Sequence, residues 1–185
     1  MKSRSHANRG KAFESLLEWH HSRYVAEKRA CVVRTPPTMR IIRQTKAPGQ
    51  FVAVYDSAGP PDYIAISSGI AFMLEAKNCG SKRWSLSNLH EHQALRLDQW
   101  NREGGFAAVL LHFSQGRVSF VLPWNTLSRV WHAWWHFKCL NRRAPAGSAS
   151  INMREAGDIG RCFDDDGWLN VAVEINREQE SGSKD

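Results

Sequence analysis

Residues 63–77, YIAISSGIAFMLEAK, constrain the fold more than any other stretch of this chain. Two apolar runs rich in β-branched and aromatic residues flank Ser68-Gly69, the pattern of a β-hairpin with a two-residue turn. With that turn, Ser67 faces Ile70, and each step outward keeps the pairing. Asp62 then lies opposite Glu75. Directly opposed residues share a face, with Cβ atoms about 4.5–5.5 Å apart. Lys77, two residues beyond Glu75, shares that face too. A three-residue turn would send Glu75 to the other side, so the arrangement depends on the register.

Two carboxylates this close repel when both are ionised, and in an apolar setting one of them protonates. A divalent cation removes the conflict. Mg²⁺ takes oxygen ligands and keeps several of its waters. Lys77 can then position an attacking water or neutralise charge growing on a phosphate oxygen. The competing explanation is that Glu75 and Lys77 are solubilising charges at a strand end, and the hairpin alone does not separate the two.

Around it, the 185 residues read as one domain. A helix is expected from Asn8 to about Ala30, with Phe13, Leu16 and Leu17 on its apolar face. Met39–Arg43 and Phe51–Tyr55 read as strands within a projecting insertion at about 35–58, which carries Arg40, Arg43 and Lys46. Asn88 and Glu91 suggest the capping box of a helix that Gly104-Gly105 ends. Residues 106–113 and 118–122 read as strands, the first apolar throughout and so central. A tryptophan-rich helix follows over 125–140. Asp164–Gly167 reads as a turn before a last strand, WLNVAVEI, and 176–185 as a disordered tail outside the 1–175 domain. The expected class is α/β, a mixed sheet flanked by helices.

The net charge is +7, concentrated in the first 48 residues, while the C-terminal region is acidic. That balance favours a polyanionic partner such as nucleic acid. No apolar run is long enough to span a bilayer, and no membrane role is expected. The four cysteines are scattered without a Cys-x-x-Cys pair, which argues against zinc and suits a reducing cytoplasm.

Five blocks occur in order: NRGKAFE (8–14), PPDY (60–63), FMLEAKN (72–78), SLSNLHEHQALRL (85–97) and GGFAAVLLHFS (104–114). Together they resemble the RecU-type Holliday junction resolvases, a family within the PD-(D/E)xK nuclease superfamily. The resemblance implies a restriction-endonuclease-like fold with a projecting stalk, here beginning at TPPTMRIIRQ. It implies a homodimer that cuts four-way DNA junctions symmetrically in recombination and repair, using Mg²⁺ or Mn²⁺. Asp62 and Glu75 match the metal-binding carboxylates, and Lys77 the catalytic lysine. Glu14 matches a helix carboxylate completing the metal site, and Gln93 a polar residue lining it. The residues before Asp62 depart from the family pattern, being Gly-Pro-Pro rather than Ser/Thr-rich. The alternatives are a related nuclease acting on ends, flaps or duplex, and a DNA-binding accessory protein that does not cut.

Asn8, Arg9 and Lys11 at a helix start could hold a phosphate. Lys82 and Arg83 could do the same beside Trp84, if that ring stacks on a base. Trp131, Trp134 and Phe137 have the spacing of core residues. His90 and His92 are expected to diverge on their helix and to share no ion.

Overall fold

A computed structural model describes residues 6–182 except 37, 56–58, 143, 144 and 146; the side chains of residues 6–10 and 55 also lie outside the description. Chain order is helix α1 (His6–Ala26), strands β1 (Cys31–Arg34), β2 (Met39–Gln44), β3 (Phe51–Tyr55), β4 (Tyr63–Ser67), β5 (Ile70–Cys79) and β6 (Arg83–Ser85), then helix α2 (Glu91–Arg102). Strands β7 (Phe106–Phe113) and β8 (Val118–Pro123) follow, then α3 (Trp124–Cys139), β9 (Ser150–Asn152), α4 (Met153–Ile159), β10 (Arg161–Phe163) and α5 (Trp168–Gly182).

The hairpin is the frame of the molecule. Ser68 and Gly69 both hold positive φ, 50° and 81°, as a primed two-residue turn requires. β4 and β5 pair from Ser67↔Ile70 to Tyr63↔Leu74, the register read from the sequence. They sit inside a six-stranded sheet of order β1-β4-β5-β7-β8-β10. β5 and β7 are parallel, joined by α2 as crossover, and the other neighbours are antiparallel. This is the mixed sheet flanked by helices expected above.

Strand alternation sorts the core into two layers. Met73, Val109, Leu111 and Leu122 pack with Leu97, Trp124, Leu127, Trp131 and Trp134 of α2 and α3. Leu74, Ala108, Leu110 and Val121 face the other way, onto Phe13 and Leu17 of α1 and Trp168 and Leu169 of α5. By the same alternation Glu75 and Lys77 point to the α2 side. β2 and β3 form a separate two-stranded sheet, and every β2 residue is exposed.

Several expectations are corrected. α1 stops at Ala26, because Lys28 turns to φ 56° and the Arg29 N–H bonds back to the Tyr24 carbonyl. Beyond the expected helix end, Cys31–Arg34 form edge strand β1, which sequence reading missed. α2 begins at Glu91, after His90 and a short 3₁₀ turn at Leu86–Asn88, so Asn88 and Glu91 do not cap it. WLNVAVEI is the start of α5, which continues to Gly182, so 176–182 are helical and do not form a loose tail. Trp168, Leu169, Ala172 and Ile175 are its buried face, a helical spacing hidden inside an alternating pattern. The rest of the expected tail, 183–185, lies outside the described residues.

Gly167 holds the turn into α5 against α1. Its φ is +82°, and a Cβ there would sit 2.0 Å from Tyr24 Oη and 2.7 Å from His20 Nδ1. Gly167→Ala is expected to cost roughly 3 kcal/mol, from left-handed strain plus overlap. Denaturant melts of the purified variant check this, with Gly182→Ala, where a Cβ meets nothing, as the neutral comparison.

Candidate active site

The acidic pair forms where β4 begins. The Asp62 carboxylate is partly buried, and its Oδ2 accepts a hydrogen bond from the Ala76 N–H at 2.8 Å. Glu75, opposite it, is 2% exposed. Its Oε1 receives the Lys77 ammonium at 2.8 Å and the Gln93 side-chain amide at 2.5 Å. Gln93 Oε1 in turn accepts from Lys77 Nζ at 3.1 Å and from the His90 backbone N–H at 3.0 Å. One amide therefore ties the start of α2 to both Glu75 and Lys77 of β5.

Glu75 Oε2 is buried and has no hydrogen-bond partner among the described residues. Burial pushes the Glu75 carboxyl up to about 7; Lys77 opposes the shift and the Asp62 charge adds to it. Asp62 is raised as well, again by burial first, with the Ala76 N–H and Lys77 opposing. The neighbouring Asp62 thus favours the protonated Glu75 carboxyl, as expected of two acids close together in low dielectric. An orphaned buried carboxylate oxygen beside a second carboxylate fits a hard divalent cation, which accepts one or two protein carboxylates and fills the rest of its shell with water.

Glu14 departs from the expected arrangement. Its carboxylate bonds Arg34 of β1 at 2.9 Å, and Arg34 also holds Glu18. Its charge still acts on Asp62. Among the described residues, however, no group of three His, Cys, Asp or Glu side chains converges to hold an ion. α1 packs on the opposite face of the sheet from α2, and the guanidinium from β1 engages the acid first.

The expected phosphate contacts divide. Arg40 and Arg43 lie on exposed β2, Lys46 in the β2–β3 turn, and Lys11 and Lys82 are exposed. Arg83 is committed to the body of the protein: it donates to Ser150, to the Gly147 carbonyl and to Glu155. Trp84 beside it is fully buried in the core, so no base can reach its face. The side chains of Asn8 and Arg9 lie outside the described residues. His90 and His92 do not diverge: their rings lie 5.7 Å apart and within 13° of parallel. His90 precedes the helix, so the helical angle does not apply to it; the HEHQ run was the signal, and the misplaced helix start concealed it.

A hairpin pairing two acids, a lysine two residues on and a crossover helix closing over them define an α/β protein with a mixed sheet flanked by helices. The family described as "RecU: Recombination protein U" matches residues 8–142. Among curated proteins, "Holliday junction resolvase RecU" of Streptococcus pneumoniae (strain Taiwan19F-14) is 30% identical over 131 residues, covering 68% of this chain and 66% of that protein. The same protein from Streptococcus pneumoniae serotype 19F (strain G54) is 28% identical over the same share. A solved structure of Archaeoglobus fulgidus Hjc, a Holliday junction resolvase from an archaeal hyperthermophile, aligns at TM-score 0.43 and 13% identity, covering 78% of this chain and 93% of that one. The chain belongs to the Recombination protein U family. It spans 66% of the length of the curated relatives it matches. No described helix is long and apolar enough to cross a membrane.

Proposed function

We propose that this chain is a divalent-cation-dependent DNA endonuclease that resolves four-way junctions by paired phosphodiester hydrolysis. The observation that carries the reading is the Asp62–Glu75–Lys77 cluster with its unpartnered buried carboxylate oxygen. Asp62 and Glu75 are the residues that would hold Mg²⁺ or Mn²⁺, an ion that would supply positive charge at the scissile phosphate and make water a better nucleophile. The Glu75 carboxylate would then be favoured over the protonated acid that its buried setting prefers. Lys77, fixed by Glu75 and Gln93, presents its ammonium to the non-bridging oxygen where charge accumulates. Gln93 keeps that ammonium from swinging away. Glu14 joins the site only if Arg34 releases it.

The resolvase name of the curated relatives supports the junction as substrate. In this reading two copies act about a two-fold axis, because paired nicks need two equivalent sites. The exposed β2–β3 hairpin is the stalk, and Arg40, Arg43 and Lys46 meet junction phosphates, so binding weakens steeply with salt.

Labelled four-way junction, flap and linear duplex, each incubated with and without Mg²⁺ or Mn²⁺, test the proposal. The junction should be cut in symmetric pairs only with the cation. Equal cutting of linear duplex would mean a nuclease of another specificity. Junction binding without cutting under any cation would mean a binding protein.

A further inference from the structure

The HEHQ run holds two imidazoles that the mechanism above does not use. His90 is exposed and His92 half-buried, with their ring centroids 5.7 Å apart and their planes within 13° of parallel. His92 directly precedes Gln93, whose amide joins Lys77 to Glu75. Among the described residues no hydrogen bond ties down the His92 ring. The ionisable groups that act on His92 are His90, on its own segment, and Lys77, on β5. Lys77 is itself paired with Glu75, but no acidic group acts on the His92 ring, so an anion arriving there would meet two imidazoles side by side.

We propose that His90 and His92 form a phosphate clamp beside the Lys77 cluster, which receives one backbone phosphate of the bound DNA and takes up a proton from solvent as it does so. The idea rests on DNA being the substrate. In the free protein, burial first, and then His90 and Lys77, hold His92 below its ordinary value, so it is neutral at neutral pH. An arriving phosphate favours the imidazolium and raises that value. Binding therefore tightens as pH falls through the window between the bound and free values, and it levels off below the free value.

The test is junction binding in chelator, where no strand is cut, across about pH 5.5 to about pH 8. Parent, His92→Asn and His90→Asn are each titrated with salt. In the parent, the slope of log affinity against log salt should steepen at low pH by about one phosphate contact. His92→Asn should match the parent at high pH and lack the added slope at low pH. A residue that merely props the fold would weaken binding equally at both ends. His90→Asn removes the second imidazole of the clamp, so binding at low pH should weaken and the added salt slope should shrink. Glu75 and Asp62 titrate in every arm, so only differences between variants count.

If parent and His92→Asn shift in parallel with pH, the clamp is wrong while the nuclease reading stands. If His92→Asn melts before it can be assayed, a parental salt slope at low pH in His90→Asn rejects the clamp on its own. A parent that binds no DNA at any pH overturns the nuclease reading and the clamp together.

Discussion

Replacing Lys77 by Ala is expected to abolish junction cleavage while leaving junction binding nearly intact. The amine has two partners, Glu75 Oε1 at 2.8 Å and Gln93 Oε1 at 3.1 Å, and it is the one side-chain cation bonded to the acidic pair among the described residues. In the proposed reaction its loss removes a pre-positioned charge from beside the reacting phosphate. A single such donor is worth about 100- to 1,000-fold in rate. A second effect adds to this: Lys77 counters the upward shift of Glu75, so without it Glu75 stays protonated to higher pH and holds a cation less readily. Lys77→Arg should not rescue, because a planar fork does not fit the slot of one ammonium between two oxygens. Single-turnover cleavage and gel-shift binding on the same four-way junction make the measurement. A variant that cuts at the parental rate would remove Lys77 from the chemistry. A variant that neither cuts nor binds, although folded, would make it a binding residue.

Glu75→Gln should abolish cleavage and also make the cation-free protein more stable. The Glu75 carboxyl titrates near 4.5 when exposed and at about 7 in the fold. A folded-state value above the unfolded one means the native state keeps its proton longer. The stability tied to that proton is fully present below about pH 4.5 and is lost as pH rises through about 7. At higher pH the buried charge costs the parent on the order of 3 kcal/mol, at about 1.4 kcal/mol per unit. Glutamine occupies the same space, can still accept from Lys77, and never ionises. Thermal melts in chelator should show the parent falling between acid and alkaline pH, with Glu75→Gln falling much less. Adding Mg²⁺ at alkaline pH should raise the parent's melting temperature and leave that of the variant unchanged. If Glu75→Gln is instead the less stable protein at alkaline pH, the pairing with Lys77 outweighs the cost of burial, and a cation has no strain there to relieve.

Legibility from sequence followed the range of the interactions. The two-residue turn at Ser68-Gly69 is local chemistry, and it set a register that carries Asp62, Glu75 and Lys77 to one place without knowledge of the rest of the fold. Central β7 and the tryptophan helix α3 were equally readable, because apolar content and period reflect burial directly. Where two periods fit one string, as in WLNVAVEI, sequence could not decide. Packing of Trp168, Leu169, Ala172 and Ile175 onto α1 and the sheet selected the helix.

What the sequence determined by itself is therefore the hairpin, its acidic pair and the lysine beside them, since each follows from neighbours a few residues apart. The tertiary structure alone decided the rest: that Arg34 takes Glu14, that Arg83 and Trp84 serve the body of the protein, and that His90 lies against His92. Those outcomes depend on which charged or aromatic group reaches a partner first across elements distant in the chain, and no local pattern records that competition.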